Sequence, residues 1–384
     1  MSEIKKLIER LCPDGVEYRK LVDLAEVGTG SSNKQDSTDD GKYPFFVRSK
    51  FVERHNDYEY DEEAIIIPGE GGIGDIFHYI NGKYALHQRV YRIHFITNSV
   101  NAKFAYYYLR NSFKKYILSK AVSATVTSIR KPMIQNFEIP VPPIEVQSKI
   151  VEYLDNFTEL EAELEAELEA RRKQYEYYRN QLLTFDKVGG ARFDVKWMTL
   201  GEIGEVCMCK RIMKHQTSDS GEIPFFKIGT FGGTPDAFID RVLYEEYKSK
   251  FSYPKKGDIL ISASGTIGRA VIFDGKDAYF QDSNIVWIDN NESILYNKYL
   301  YYLYSILDWK TEGGTIKRLY NGNLKATKIA VPPLEEQQRI VSILDRFEAL
   351  TTNLQSGLPA EIEARRKQYE YYREQLLTFK RKTA

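Results

Sequence analysis

Apolar and polar positions along this 384-residue chain change rhythm twice, in the same order each time. Short β-branched apolar runs come first in each half: Ala64–Ile67 and Val90–Ile96 in one, Asp258–Ile261 and Ile285–Ile288 in the other. Runs of that length between polar turns predict strands, and Asn81-Gly82 predicts a hairpin turn. The Tyr-rich stretches AYYYL (105–109) and KYLYYLYSIL (298–307) predict short helices. Pro142-Pro143 and Pro332-Pro333 stop what precedes them and leave room for a helix to begin. After each pair the apolar period becomes helical. One stripe runs through Ile150, Leu154, Phe157, Leu160, Leu164, Leu168, Tyr175, Tyr178, Leu182 and Phe185. The other runs through Ile340, Leu344, Phe347, Leu350, Leu354, Leu358, Ile362, Tyr369, Tyr372, Leu376 and Phe379. Each predicts a helix of about 45 residues, on the order of 65 Å long at 1.5 Å per residue. A helix of that length needs a long partner, and the other copy supplies one.

The rhythm repeats because the sequence does. EARRKQYEYYRNQLLTF at 169–185 returns as EARRKQYEYYREQLLTF at 363–379, with Glu374 in place of Asn180. FEIPVPPIEVQSKIVEYLDNFTEL (137–160) matches TKIAVPPLEEQQRIVSILDRFEAL (327–350), and IIIPGEGGIG (65–74) faces ILISASGTIG (259–268). The expected organisation is a globular domain over 1–143, a helix over 144–186, a linker over 187–195 broken at Gly189-Gly190, a second globular domain over 196–333, and a helix over 334–384. The expected fold class is α+β: two mixed α/β domains joined by two long antiparallel coiled-coil helices, with the halves related as a pseudo-two-fold repeat. The copies differ between the stripe and the repeated segment. Between Leu160 and Glu169 the first has EAELEAEL, part of a Leu-Glu-Ala-Glu tetrad repeat, and between Leu350 and Glu363 the second has the longer TTNLQSGLPAEI. One tetrad is about one helical turn, roughly 6 Å. The tetrads read both as a solvated acidic face and as a ruler, and the two readings are compatible.

Charge changes the picture only when it is mapped. Lys plus Arg and Asp plus Glu each number 54, yet residues 144–186 alone hold 5 basic and 11 acidic side chains. The remainder is slightly basic, which permits nucleic-acid binding. Three cysteines (Cys12, Cys207, Cys209), no apolar run of membrane length and no apolar leader place the chain in a reducing cytoplasm. GEGGIG (69–74) fits a dinucleotide-binding pattern, but the next residues, DIFHYINGKYALHQ, have a hairpin-like rather than a helical pattern, so a tight turn between strands is expected. Cys207-Met-Cys209 reads as a strand edge. No Walker A sequence, His-Glu-x-x-His pair or other catalytic constellation stands out, and no metal set is expected.

Polar and basic loop residues remain as the candidate chemistry. In the first half these are Arg48, Ser49, Lys50, Arg54, His87, Gln88, Arg89, Thr127, Arg130 and Lys131. In the second they are Lys210, Arg211, Lys214, Lys227, Thr230, Ser264, Arg269, Gln281, Lys317 and Arg318. Arg and Lys suit guanine O6 and N7, Gln suits adenine N6 and N7, and hydroxyls and further Lys suit phosphates. Tyr175, Tyr177 and Tyr178, with their copies Tyr369, Tyr371 and Tyr372, cannot all face one helix seam, so some are expected to meet a partner.

The paired IPVPPIEVQSKIVEYLD and IAVPPLEEQQRIVSILD segments, the two EARRKQYEYYR(N/E)QLLTF helices, GEIPFF, GDILISASGTIG and the opening LCPDGVEYRKL together resemble the specificity subunit of type I restriction-modification enzymes. The resemblance covers essentially the whole chain. It implies two target-recognition domains, each reading half of a bipartite site in double-stranded DNA. It also implies two antiparallel helices that space those domains and dock two modification (methyltransferase) subunits, with restriction subunits joining the core. The cofactors, S-adenosylmethionine, ATP and Mg, would belong to those partners, and this chain would be non-catalytic. IIIPGEGGIGD departs from the pattern in the first half, as does HQ where the second half has QD. The alternative is a coiled-coil scaffold or adaptor with two domains for ligands other than DNA.

Overall fold

The computed structural model of the protein describes residues 2–119, 128–185, 195–314, 317–351 and 357–383. The candidate Thr127, the Gly189-Gly190 break and the stripe residue Leu354 lie outside these. The chain forms two compact units, residues 1–165 with 361–384, and residues 166–360. Each unit therefore takes one globular domain and part of both long helical segments, a division different from the sequence boundaries.

The first unit runs through helix α1 (Ser2–Leu11), strands β1 (Tyr18–Lys20), β2 (Ala25–Thr29), β3 (Tyr43–Phe46), β4 (Glu53–His55), β5 (Tyr60–Pro68), β6 (His78–Leu86) and β7 (Val90–Phe95). Helices α2 (Ala102–Ser119) and α3 (Lys131–Gln135), strand β8 (Glu138–Pro140) and the start of helix α4 (Ile144–Leu183) come next. Six strands form one sheet in the order β2-β7-β5-β6-β3-β4, and β1 pairs with β8. Ile65, Ile66 and Ile67 of β5 are fully buried, each contributing about 1.5–3 kcal/mol of apolar burial. Asn81-Gly82 makes no hairpin. It lies inside β6, where Asn81 pairs with Glu63 and Gly82 with Glu62. The local turn signal yields to seven consecutive pairings with the long β5.

The second unit repeats this plan. It comprises β9 (Lys196–Thr199), α5 (Leu200–Ile203), β10 (Gly204–Cys207), β11 (Thr217–Ser218), β12 (Ile223–Phe226), β13 (Phe238–Ile239), α6 (Arg241–Lys250), β14 (Ile259–Ser262) and β15 (Ala270–Ile272). Then come β16 (Tyr279–Phe280), β17 (Ile285–Asn290), α7 (Asn297–Tyr304), α8 (Asn321–Ala326), β18 (Lys328–Val331) and α9 (Leu334–Thr351). The sheets are β10-β17-β14-β15, β11-β13-β12-β16 and β18-β9. What β6 does as one strand is divided here: β15 pairs with β14, and β16 runs parallel to β12 as the end of β6 runs parallel to β3. The four strand expectations and both Tyr-rich helices match these elements. Cys207 ends β10 opposite Trp287, and Cys209 is buried in the adjoining core.

The first long helix is continuous for 40 residues, about 60 Å. The second is not one helix: α9 ends at Thr351 and α10 spans Gly357–Leu376. Gly357 has φ +78°, and a Cβ there would lie 2.8 Å from the carbonyl oxygens of Ala349 and Leu350. Gly357→Ala is expected to cost about 1–3 kcal/mol, read as an earlier denaturation midpoint. Within the first unit, α4 and α10 run antiparallel: the ring of Tyr153 packs on Tyr372 (5.8 Å), Phe157 packs on Tyr372 (5.7 Å) and Tyr369 (6.3 Å), and Arg366 holds Glu161 and Glu165. Within the second unit, α4 and α9 do the same. Tyr175 and Tyr178 pack on Phe347, while Leu182 and Leu183 join Ile340, Val341 and Leu344.

The segment after α10 returns to the first domain. The Val16 amide donates to Lys380 O (2.8 Å) and the Lys382 amide to Val16 O (3.0 Å). The Arg381 guanidinium lies 4.4 Å over the Tyr18 ring and pairs with Glu138. Leu376, Leu377 and Phe379 are buried in the same core as Ile150, Leu154 and Phe104.

Candidate functional site

In both units three backbone segments lie side by side at one end of the sheet. In the first, the Gly69 amide donates to Arg89 O (2.9 Å) and the Ile129 amide to Gly69 O (2.8 Å). In the second, the Ala263 amide donates to Asn284 O (2.7 Å) and the Leu319 amide to Ala263 O (2.8 Å). A fourth segment joins them: the His87 amide reaches Phe46 O (3.0 Å), as the Gln281 amide reaches Phe226 O (2.9 Å). GEGGIG supplies one of these segments. It is a turn between β5 and β6 with Gly71, Gly72 and Gly74 all at positive φ, a backbone form that glycine adopts without strain. No helix opens there.

The side chains on this shared frame differ. In the first unit Glu70 bridges two cations: Arg48 Nη1 at 2.9 Å, and Arg89 Nη1 at 3.0 and 3.1 Å from its two oxygens. The hydrogen bonds from Arg89, then from Arg48, hold the Glu70 carboxyl below its usual range. His87 is buried behind them, and its Nδ1 accepts from the Arg89 amide (3.0 Å). Burial first, and the Arg48 and Arg89 charges next, lower its pKa and keep it neutral. Gln88 Nε2 donates to Asn33 Oδ1 (2.5 Å). Ser49 Oγ accepts from the Phe51 amide, and Lys50 lies 5.1 Å over the exposed Phe51 ring. Arg130 and Lys131, both exposed, lead from Ile129 into α3. Arg54 stands apart, exposed on the edge strand β4.

The second unit gathers Arg211, Lys214, Lys227, Gln281 and Arg318 around one cleft, with Asp236, Asp282 and Asn284. Arg318 Nη2 donates to Asn284 Oδ1 (2.7 Å), and Ser264 Oγ donates to the same oxygen (2.8 Å). Arg211 pairs with Asp282 (2.8 Å) and Lys227 with Asp236 (2.9 Å). Gln281 Oε1 accepts from the Ile228 amide (2.9 Å). Ser283 is the described non-glycine residue at positive φ (53°), a conformation imposed by the turn before β17. Thr230 bonds back to Lys227 in its own turn, and Arg269 Nη1 donates to Phe231 O (2.8 Å). Lys210 lies 5.0 Å over the Phe251 ring, and Lys317 is exposed beside Arg318.

Of the tyrosines, Tyr175, Tyr178, Tyr369 and Tyr372 touch the helix seams, whereas Tyr177 and Tyr371 stay 61% and 60% exposed. Sequence reasoning misses Glu70, Asn33, Asp236, Asp282 and Asn284. A search for nucleic-acid contacts favours cations, and these groups matter through the cations they hold.

A family model for the type I restriction modification DNA specificity domain matches residues 13–170 and again 194–364. The chain belongs to that family. It is 45% identical to a putative type I restriction enzyme specificity subunit of Haemophilus influenzae, covering 99% of this chain and all of that one. It is 34% identical to the EcoR124I/EcoR124II specificity subunit of Escherichia coli over 65% of this chain and 66% of that one. The fold matches the crystal structure of a Mycoplasma genitalium type I S subunit (TM-score 0.54, 19% identity, 94% and 95% of the two chains). It also matches a chain solved in work on complex assembly and conformational transition of a type I system (TM-score 0.63, 16% identity, 95% and 98%).

As a type I specificity subunit the chain recognises DNA sequence and is the non-catalytic component of its system. Its sequence-expected architecture, two mixed α/β domains with long antiparallel helical segments in an internal repeat, is the one observed, with the second rod divided. No described helix is long and apolar enough to cross a membrane.

Proposed function

We propose that each globular domain reads one half of a bipartite DNA site through the loops gathered on the shared frame. The paired helices then set the spacer between half-sites. They also dock two modification subunits, with restriction subunits joining that core. The observation that carries this reading is one backbone arrangement dressed differently: Glu70, Arg89 and Arg130 on the first frame, Ser264, Asn284 and Arg318 on the second. A common frame with different donors and acceptors suits two different half-sites. In this reading adenine methylation, ATP use and their S-adenosylmethionine and Mg belong to the partner subunits, and the chain works in the cytoplasm where its DNA lies. Tyr177 and Tyr371, equivalent and equally exposed, suit the two equivalent modification subunits.

Arg89 offers the sharpest test. Its Nη1 is fixed by Glu70, and among the described residues its Nε and Nη2 have no side-chain partner, leaving an edge matched to guanine O6 and N7. Arg89→Ala is expected to relax one base pair of one half-site, losing about 1–3 kcal/mol there, with the other half-site unchanged in a methylation map. A uniform loss across all sites would assign Arg89 to a phosphate instead.

A further inference from the structure

Each long helical segment is tied to its own globular domain at two polar points, and the two units do it with the same residue types at matching positions. The first point is a glutamine in the opening turn after the Pro-Pro pair. Gln147 is fully buried in α4. Its Nε2 donates to Ser99 O (2.8 Å) and Pro142 O (2.7 Å), and its Oε1 accepts from the Asn101 amide (2.8 Å). Gln337, fully buried in α9, donates to Ile294 O (2.9 Å) and Pro332 O (2.8 Å) and accepts from the Tyr296 amide (2.8 Å). One side chain thus clips the loop before the domain's Tyr-rich helix to the start of the rod.

The second point lies eight residues further on, about 12 Å along the helix. Asp155 takes Lys103 Nζ (2.7 Å) and Tyr107 OH (2.5 Å) from α2. Asp345 takes Lys298 Nζ (2.7 Å) and Tyr302 OH (2.6 Å) from α7, where Glu348 also accepts from Tyr302 (2.8 Å). Burial, then the carboxylate, push both tyrosine hydroxyls well above their ordinary pKa, so both remain donors.

Between the two points the contacts are apolar: Ile150 and Leu154 in one unit, Ile340 and Leu344 in the other, all fully buried. Apolar burial is strong but non-directional, so it holds a helix against a domain without fixing its tilt. Hydrogen bonds fix distance and angle. Two such anchors on one helix define a direction. A tilt of about 10° swings a point about 20 Å away through roughly 3.4 Å, one base-pair step.

We propose that Gln147 with Asp155, and Gln337 with Asp345, are positioning residues that fix the tilt of each recognition domain on its helix and so restrict methylation to one spacer length. This rests on the reading of the helices as the spacer. None of the four touches DNA in this account. Their loss acts on where a reader is held rather than on what it reads.

The test uses the full chain assembled with its modification subunits and a plasmid library in which the two half-sites are separated by every spacer from about two base pairs shorter to about two longer than the natural one, the range that one helical turn of displacement could reach. Asp155→Asn, Asp345→Asn, Tyr107→Phe and Tyr302→Phe are compared with the natural chain. The tyrosine variants remove one hydroxyl each and keep the fold available should the others assemble poorly. The expected result is a roughly ten-fold rise in the ratio of methylation at spacers one base pair off to methylation at the natural spacer, with both half-site sequences unchanged. Asp155→Glu, which keeps the charged acceptor, is expected to recover most of the natural ratio. Assembled variants that methylate more slowly at an unchanged ratio would overturn the inference and leave the anchors a purely structural role. A natural chain with no preferred spacer would overturn the spacer reading itself, a failure visible before any variant is made.

Discussion

Inserting one Leu-Glu-Ala-Glu unit after Glu167 moves methylation to sites whose half-sites lie about one base pair further apart, and methylation at the original sites falls by at least about 100-fold. The helix gains four residues, roughly 6 Å, and a helix lying obliquely to the DNA axis would convert part of that length into spacing along it. A reader displaced by one step faces the wrong base pairs, and each mismatched pair costs about 1–3 kcal/mol. The fold tolerates the insertion because of how the tetrads are held. Arg366 grips Glu161 and Glu165, the same position in successive tetrads. A shift of one turn presents Arg366 with the same pair of carboxylates. Those ion pairs are exposed and weak, so they guide register rather than resist lengthening. Mapping methylated adenines in cells carrying the lengthened chain is the measurement, and an unchanged spacer would exclude the ruler.

Leu376→Ala should unfold the first unit early and spare the second. Leu376 is buried with Leu377 and Phe379 in the core of the first domain, and a buried Leu→Ala change costs about 2–5 kcal/mol. For a unit of this size that lowers the midpoint by about 5–15 °C. The chain offers a convenient readout. Its three tryptophans, Trp197, Trp287 and Trp309, all lie within residues 166–360. Tryptophan fluorescence therefore tracks the second unit, and far-ultraviolet circular dichroism tracks both. The expected outcome is an early dichroism transition with the fluorescence transition in place. Movement of both together would mean that the units unfold as one.

Much of this architecture can be read from the chain because duplication makes signals visible twice. The strands around Ile65–Ile67 and Ile285–Ile288, both Tyr-rich helices and the helical period after each Pro-Pro pair all match the observed elements. The failures have local causes. The stripe through Leu350, Leu354 and Leu358 suggests one unbroken second rod, yet Leu350 is half exposed and Gly357 sits at positive φ. Pro359 falls in the first turn of α10, where proline is tolerated, and periodicity outweighs the Gly-x-Pro signal. Asn81-Gly82 carries a true turn preference that β5 overrides through pairing.

The site is legible as a set of loops and illegible as geometry. Arg48, Glu70 and Arg89 meet across 19 to 22 positions of sequence. Gln281 and Arg318 meet on one cleft through strands that sequence alone could not align. The glutamines of PPIEVQ and PPLEEQ repeat visibly, but the partners that tie them to the domain are backbone atoms some forty residues upstream, which no residue pattern encodes.

The first domain's core is completed by residues 376–379, and its edge at Val16 is closed by residues 380–382. On the ribosome these arrive only after the whole of 166–360 has been made. The core of the domain translated first is thus completed by residues translated nearly last, and a chain stalled anywhere in the second half lacks them.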